Sequence, residues 1–289
     1  MRRGEPLPPV WLAPGAVSDP RALLRWGALD DLLLPVGPVG PTRPGEPQQQ
    51  AGSPEGATGR TGGAVRGTGL APSIRGPGHA PGVGGVEHAS APGYAVPEAL
   101  QLVRWCATRG LRCVLAVRGR STGDLATAVG QVRRSLDADA VAAVEVDLRG
   151  ADDQTSLKAM ARVREVASRD LLLLARLSAL QPDLVGAARG AVAGGAGAVV
   201  VCGSVRLGPD RWWSGASTAA MSRAGVRELR TAAEDQRWPA VPVVAAGGVH
   251  DVASARAALA DGAAAVQLGT ALWADPTLLW TIVDDLRRP

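Results

Sequence analysis

The residues best placed to do chemistry in this chain are glycines. Val241–Ala246 is an apolar run that leads into Gly247-Gly248, and Ala264–Leu268 is a second that leads into Gly269-Thr270. Between them, Asp251 is placed to cap a helix that ends at Gly262. Two successive strand ends thus carry glycine turns on one side of a sheet. Backbone amides approach a ligand closely at such turns, and a following helix N-terminus adds partial positive charge. That combination holds a phosphate, so the stretch predicts a small-molecule ligand with a phosphate group.

Other reactive residue types are scattered. Glu145 and Asp147 lie two apart in a strand-like run and share a face, where one could orient a ligand or act as a base. The alternative is that the pair neutralises arginines. His250 follows the first glycine turn and could contact an anion or simply start a helix in solvent. Cys202 ends an apolar run and reads as a reactive thiol or a small buried residue. His79 and His88 fall in a Gly/Pro-rich stretch and read as inert. The histidines have no cysteine cluster beside them, so no metal site is expected. Lys158 is the only lysine and sits in a helical pattern, which argues against Schiff-base chemistry. Trp212-Trp213, just before Ser214-Gly215, read either as a lid that stacks on a flat ring or as rim packing.

Positioning these residues takes regularly alternating elements. Strands are predicted at Val10–Ala13, Asp31–Val36, Leu111–Val117, Val141–Leu148, Asp170–Leu177, Ala198–Cys202, Val241–Ala246 and Ala264–Leu268. Helices are predicted at Pro97–Arg109, from Ser121 or Thr122 to Leu136, and at Gln154–Ser168, Pro182–Ala193, Thr218–Gln236 and Asp275–Leu286. Asp19 can cap a short helix between the first two strands. Eight strands separated by helices imply an α/β protein, a (β/α)8 TIM barrel, with a doubly wound open sheet as the alternative. The glycine turns then follow strands seven and eight, the usual phosphate site of that barrel. From Gly37 to about Gly93 the chain is dense in Gly, Pro, Ser and Gln. Residues 48–93 read as a disordered or loosely draped insertion after strand two, because they cannot bury enough apolar surface to offset ordering entropy.

Composition narrows the class. The 289 residues suit one domain, 1–289, and 46% of them are hydrophobic. The net charge is +4 without a Lys/Arg run, so nucleic acid is not an expected partner. Met1-Arg2-Arg3 is not followed by an apolar region, and the longest uncharged run, Gly190–Val205, is too short to span a bilayer. Three cysteines without framework spacing fit a reducing, cytoplasmic setting. A homodimer or a protein partner stays open.

In order and spacing these pieces resemble the dihydroorotate dehydrogenases, flavin (FMN) barrels of pyrimidine biosynthesis. PVWLAPGAVSDPRALLRWGALDDLLLPVGPVGPTRPGEP looks like the family's first βαβ unit, with its PGNP turn as Pro44-Gly45-Glu46-Pro47. AVEVDLRGADD is similar to its fourth-strand motif, LARLS to its fifth, and Ser214-Gly215 to its GLSG loop. The stretch Val241–Thr270 is similar to its IPIIGxGGI…GASxVQxGTA pattern. The resemblance implies an oxidoreductase acting on a CH–CH group. It implies that Gly247, Gly248, Gly269 and Thr270 hold the FMN phosphate, that Ser214 and Gly215 lie near the same end of the cofactor, and that Arg176 takes the place of a lysine facing the flavin ring. Arg176 could stabilise a reduced flavin or pair with Glu145 or Asp147.

The chain departs from the family where substrate is handled. A family lysine falls at about Ser18, the base at about Gly150, and asparagines at Asp147, Asp152 and Cys202. The chain has no asparagine at all. The family's asparagine amides both donate to and accept from orotate, so an altered substrate or reduced activity follows. A catalytically degenerate phosphate-ligand-binding barrel, serving as a binding or scaffold protein, is the alternative.

Overall fold

The computed structural model describes residues 6–17, 19–30, 32–40, 84–89, 93–208 and 211–288. Ser18, His79, the Pro44–Pro47 turn and most of 48–93 lie outside the described residues. In chain order the described elements begin with β1 (Val10–Leu12), β2 (Leu33–Gly40), β3 (Gly85–Ala89), β4 (Tyr94–Ala95), α1 (Val96–Ala107) and β5 (Arg112–Val117). Then come α2 (Thr122–Arg133), β6 (Val141–Asp147), α3 (Asp153–Val166), β7 (Leu172–Ser178), α4 (Leu184–Ala193) and β8 (Ala198–Cys202). The chain continues through β9 (Val205–Gly208), β10 (Arg211–Gly215), α5 (Ala219–Glu234), β11 (Val243–Ala246), α6 (Val252–Ala260), β12 (Ala265–Leu268) and α7 (Leu278–Arg287). Short 3-10 turns include Pro20–Arg25 after β1 and Thr270–Trp273 after β12.

Nine strands form one parallel sheet in the order β1-β12-β11-β8-β7-β6-β5-β2-β4. β1 and β2 also lie against each other, but no ladder joins them among the described residues. What is established is therefore an α/β fold with a large curled parallel sheet. The eight expected strands all form, and Ala198–Cys202 has the expected bounds.

The strand period divides the core in two. Along β8, Val199 and Val201 join the apolar layer shared with the helices, whereas Ala198, Val200 and Cys202 join a separate cluster. Trp11, Leu33, Val114, Ala143, Leu174, Val244 and Ala265 belong to that second cluster, on the other face of the sheet. Helix starts are fixed by side chains that take up end amides. Ser121 accepts from Asp124 N (3.1 Å), Asp152 from Thr155 N (2.7 Å) and Asp251 from Ser254 N (2.7 Å).

One prediction fails within the Gly/Pro-rich stretch. Residues 85–89 are not disordered; they form β3, which pairs antiparallel with β10, itself paired to β9. Backbone pairing to a distant strand supplies the order that local composition could not. Among the described residues no helix is long and apolar enough to cross a membrane.

Candidate functional site

Stepping two residues along β6, β7 and β12 from the apolar inner cluster reaches polar side chains. Ala143 is followed on its face by Glu145, Leu174 by Arg176, and Ala265 by Gln267. These residues line a cleft at the C-terminal ends of the strands. The cleft is open to solvent, and its empty space with that open solvent included is about 990 Å³. Its rim includes Gly247, Gly248, Gly269 and Thr270, and its side wall includes His88, Trp212, Ser214 and Gly215.

The cleft floor is a closed polar triangle. Arg176 Nη1 donates to Glu145 Oε1 (2.8 Å) and to Gln267 Oε1 (2.9 Å), and Gln267 Nε2 donates to Glu145 Oε2 (2.6 Å). Glu145 is 1% exposed, and each of its carboxylate oxygens is hydrogen-bonded. Of the two readings of Arg176, the ion pair with Glu145 forms. Arg176 Nη2 also donates to Cys202 Sγ (3.2 Å). Burial opposes ionisation of that thiol. Arg176, Arg149 and hydrogen bonds from Ser204 outweigh it and hold the Cys202 pKa below the ordinary thiol value. Burial likewise opposes the charge on Arg176, yet Cys202, Glu145 and Asp147 raise its pKa.

Asp147 and Arg149 form a second pair. Arg149 Nε donates to Oδ1 (2.8 Å) and Nη2 to Oδ2 (2.6 Å), and the guanidinium lies 3.9 Å from the Trp212 ring centroid. Burial pushes the Asp147 pKa up, but the Arg149 cation and its hydrogen bonds, helped by Arg176, bring it below the usual carboxylate value. Arg118 also lines the cleft, and no described carboxylate pairs with it. Three arginines thus meet two carboxylates, which leaves a cation for a ligand.

At the rim, Gly247 and Gly248 have φ of 100° and 81°. A Cβ on Gly248 would lie 2.2 Å from Ala219 N and Cα at the start of α5. Its lack of a side chain therefore lets the turn sit against α5. Among the described residues nothing accepts from the amides of Gly248, Val249, Gly269 and Thr270. All four residues line the cleft, so these donors are available to an anion there.

The structure brings together all seven expected site residues except in one respect. Gly247, Gly248, Gly269, Thr270, Ser214, Gly215 and Arg176 share the cleft, but Ser214 Oγ is engaged by Ser204 and His88. His250 is not among the cleft-lining residues; its Nδ1 donates to the Gly248 carbonyl (2.6 Å) and braces the turn. Asp152 is spent on capping α3. Trp212 carries Arg149 on its face, whereas Trp213 donates to Ser217 Oγ (2.9 Å).

His88 corrects the sequence reading. It does not lie in a disordered segment: it sits on β3, lines the cleft, its Nε2 lies 3.0 Å from Ser214 Oγ, and its ring meets Trp273 edge-on. The register Trp212↔His88 puts it there. The only advance signal was the valine and histidine of Gly85–Ala89, too short against its glycine-rich flank to read as a strand. No protein-family model matches the chain, and no curated protein matches it.

Proposed function

We propose that the parallel sheet closes into a (β/α)8 barrel that binds FMN in this cleft and acts as a dihydroorotate-dehydrogenase-like flavin oxidoreductase with an altered CH–CH substrate. The observation that carries the reading is the set of amides at Gly248, Val249, Gly269 and Thr270 that no described group takes up, in a cleft also lined by Arg118, which no described carboxylate pairs, and by the buried Arg176. β1, at one edge of the sheet, also lies against β2, one strand in from the other edge, and this contact favours closure.

The residues present fit FMN at its phosphate and beneath its ring. The amides would take the phosphate oxygens, and Arg176, held by Glu145 and Gln267, would present positive charge to the ring. FMN, when bound, supplies a two-electron acceptor. The chain's own residues orient the ligand, exclude water and carry charge. They do not rebuild an orotate pocket, because Glu145 and Asp147 are both spent on arginines and no asparagine amide is present. The same pairing favours a second reading, a phosphate-ligand-binding barrel without catalysis.

The comparison of FMN with riboflavin tests the site. Bound flavin is read by fluorescence quenching and by melting temperature. If the amides hold the phosphate, FMN binds at least about tenfold tighter than riboflavin, a difference of about 1.4 kcal/mol. Equal affinities would remove the phosphate assignment. Binding without any substrate-driven bleaching of the flavin would favour the second reading.

A further inference from the structure

The side wall of the cleft holds a chain of polar contacts that none of the arginine pairs uses. Ser204 stands two residues past Cys202, the end of β8, whose sulfur touches Arg176. Ser214 Oγ on β10 lies 2.8 Å from Ser204 Oγ and 3.0 Å from His88 Nε2 on β3. His88 is held edge-on against Trp273, with ring centroids 5.3 Å apart at 90°. Ser204, Ser214 and His88 all line the cleft. The three groups therefore run from the strand-end floor out to the antiparallel sheet.

We propose that Ser204, Ser214 and His88 form the proton-transfer chain of this cleft, with His88 as its terminal base. The proposal rests on reading the cleft as a small-molecule site, and it does not depend on which cofactor binds. Glu145 and Asp147 are each taken up by an arginine, and Gly150 offers no side chain. Among the described cleft residues a histidine is then the group suited to accept a proton near neutral pH. Ser214 Oγ donates to Ser204 Oγ in this structure and faces His88 Nε2; rotation of both hydroxyls, with the imidazole protonated at Nδ1, lets Nε2 accept from Ser214 and Ser214 accept from Ser204. A bound acid gives its proton to Ser204 Oγ, Ser204 passes its own to Ser214, and Ser214 passes its own to His88 Nε2. One ligand X–H bond breaks and one imidazole N–H bond forms. Both hydroxyls are regenerated, and the electron pair stays on the ligand, near the Arg176 guanidinium. The chemistry fits a small carbon or nitrogen acid whose anion a guanidinium can stabilise.

Charged side chains are found on the described strands around His88. Glu87 on its own strand pairs with Arg211 on β10 (2.6 Å), Arg206 lies on β9, and Arg149 rests on Trp212, the register partner of His88. Arg118, Arg176, Glu145 and Asp147 share the cleft.

The test needs no substrate. In full-length protein with 15N-labelled histidine, the His88 signals are assigned by their loss in His88→Gln and followed by NMR from about pH 5 to 9. The chain predicts that Ser214→Ala and Ser204→Ala each move the His88 midpoint by about half a pH unit or more. Ser204→Thr, which keeps a hydroxyl, restores the wild-type curve. Ser214 stands between Ser204 and His88, so a purely structural Ser204 leaves the curve in place. A His88 titration unchanged in Ser204→Ala, in protein that melts at the wild-type temperature, would overturn the proposal. No flavin is added, so this outcome is separate from a failure to bind FMN.

Discussion

At Asp147, burial and charge act in opposite directions on one carboxylate. Burial disfavours its charge, and Arg149 more than compensates, leaving a pKa below the ordinary value. A depressed folded-state pKa stabilises the protein above the unfolded value, about 3.9, and that contribution is lost as pH falls through the folded one. Asp147→Asn should therefore lower stability at pH 7 by about 2 kcal/mol, the scale of a charged hydrogen bond. It should also flatten the acid limb: urea midpoints of the variant and the wild type converge as pH drops below about 4. A constant gap across that range contradicts the assignment. The residues of the floor were legible because type and strand period sufficed: Glu145 and Asp147 had to share a face. Whether Arg176 would meet Glu145 was not legible, since that choice is made by the register of β6 against β7, where Glu145 sits opposite Leu174 and Asp147 opposite Arg176. His88 was hidden for a related reason, its place being set by β10, 126 residues away from it at Ser214.

Among the elements, the turn after β11 is the one on which the site most depends. Gly248 combines a φ of 81° with a contact that leaves no space for a Cβ against Ala219. Gly110 shares the left-handed backbone, φ 67°, but a Cβ there meets nothing within 4 Å. Gly110→Ala should cost about 1 kcal/mol, from backbone strain alone. Gly248→Ala adds overpacking and should cost about 1–3 kcal/mol more, with the start of α5 displaced. Urea unfolding of the two variants side by side checks the ranking, and equal costs would mean that the turn does not lean on α5. The parallel strands could be read because each is a continuous apolar run, as burial on both faces requires. β9 and β10 could not, because they are short, partly exposed and ordered by each other and by β3.

On the scale of the whole molecule, a curled parallel sheet gathers the ends of β6, β7, β8, β11 and β12 around one cleft, and the small antiparallel sheet walls it. The inner face is apolar below and charged above, so the same strands that build the core deliver Glu145, Arg176 and Gln267 to the floor. Alternation of strands and helices made that architecture legible. The proposed ligand rests on the glycine turns and the family resemblance. The visible spectrum of the purified full-length protein, before and after saturation with FMN and removal of excess, tests the central claim most directly. The account predicts bound flavin approaching one per chain and a melting temperature that rises with FMN concentration. A colourless protein whose melting temperature FMN does not raise would contradict it.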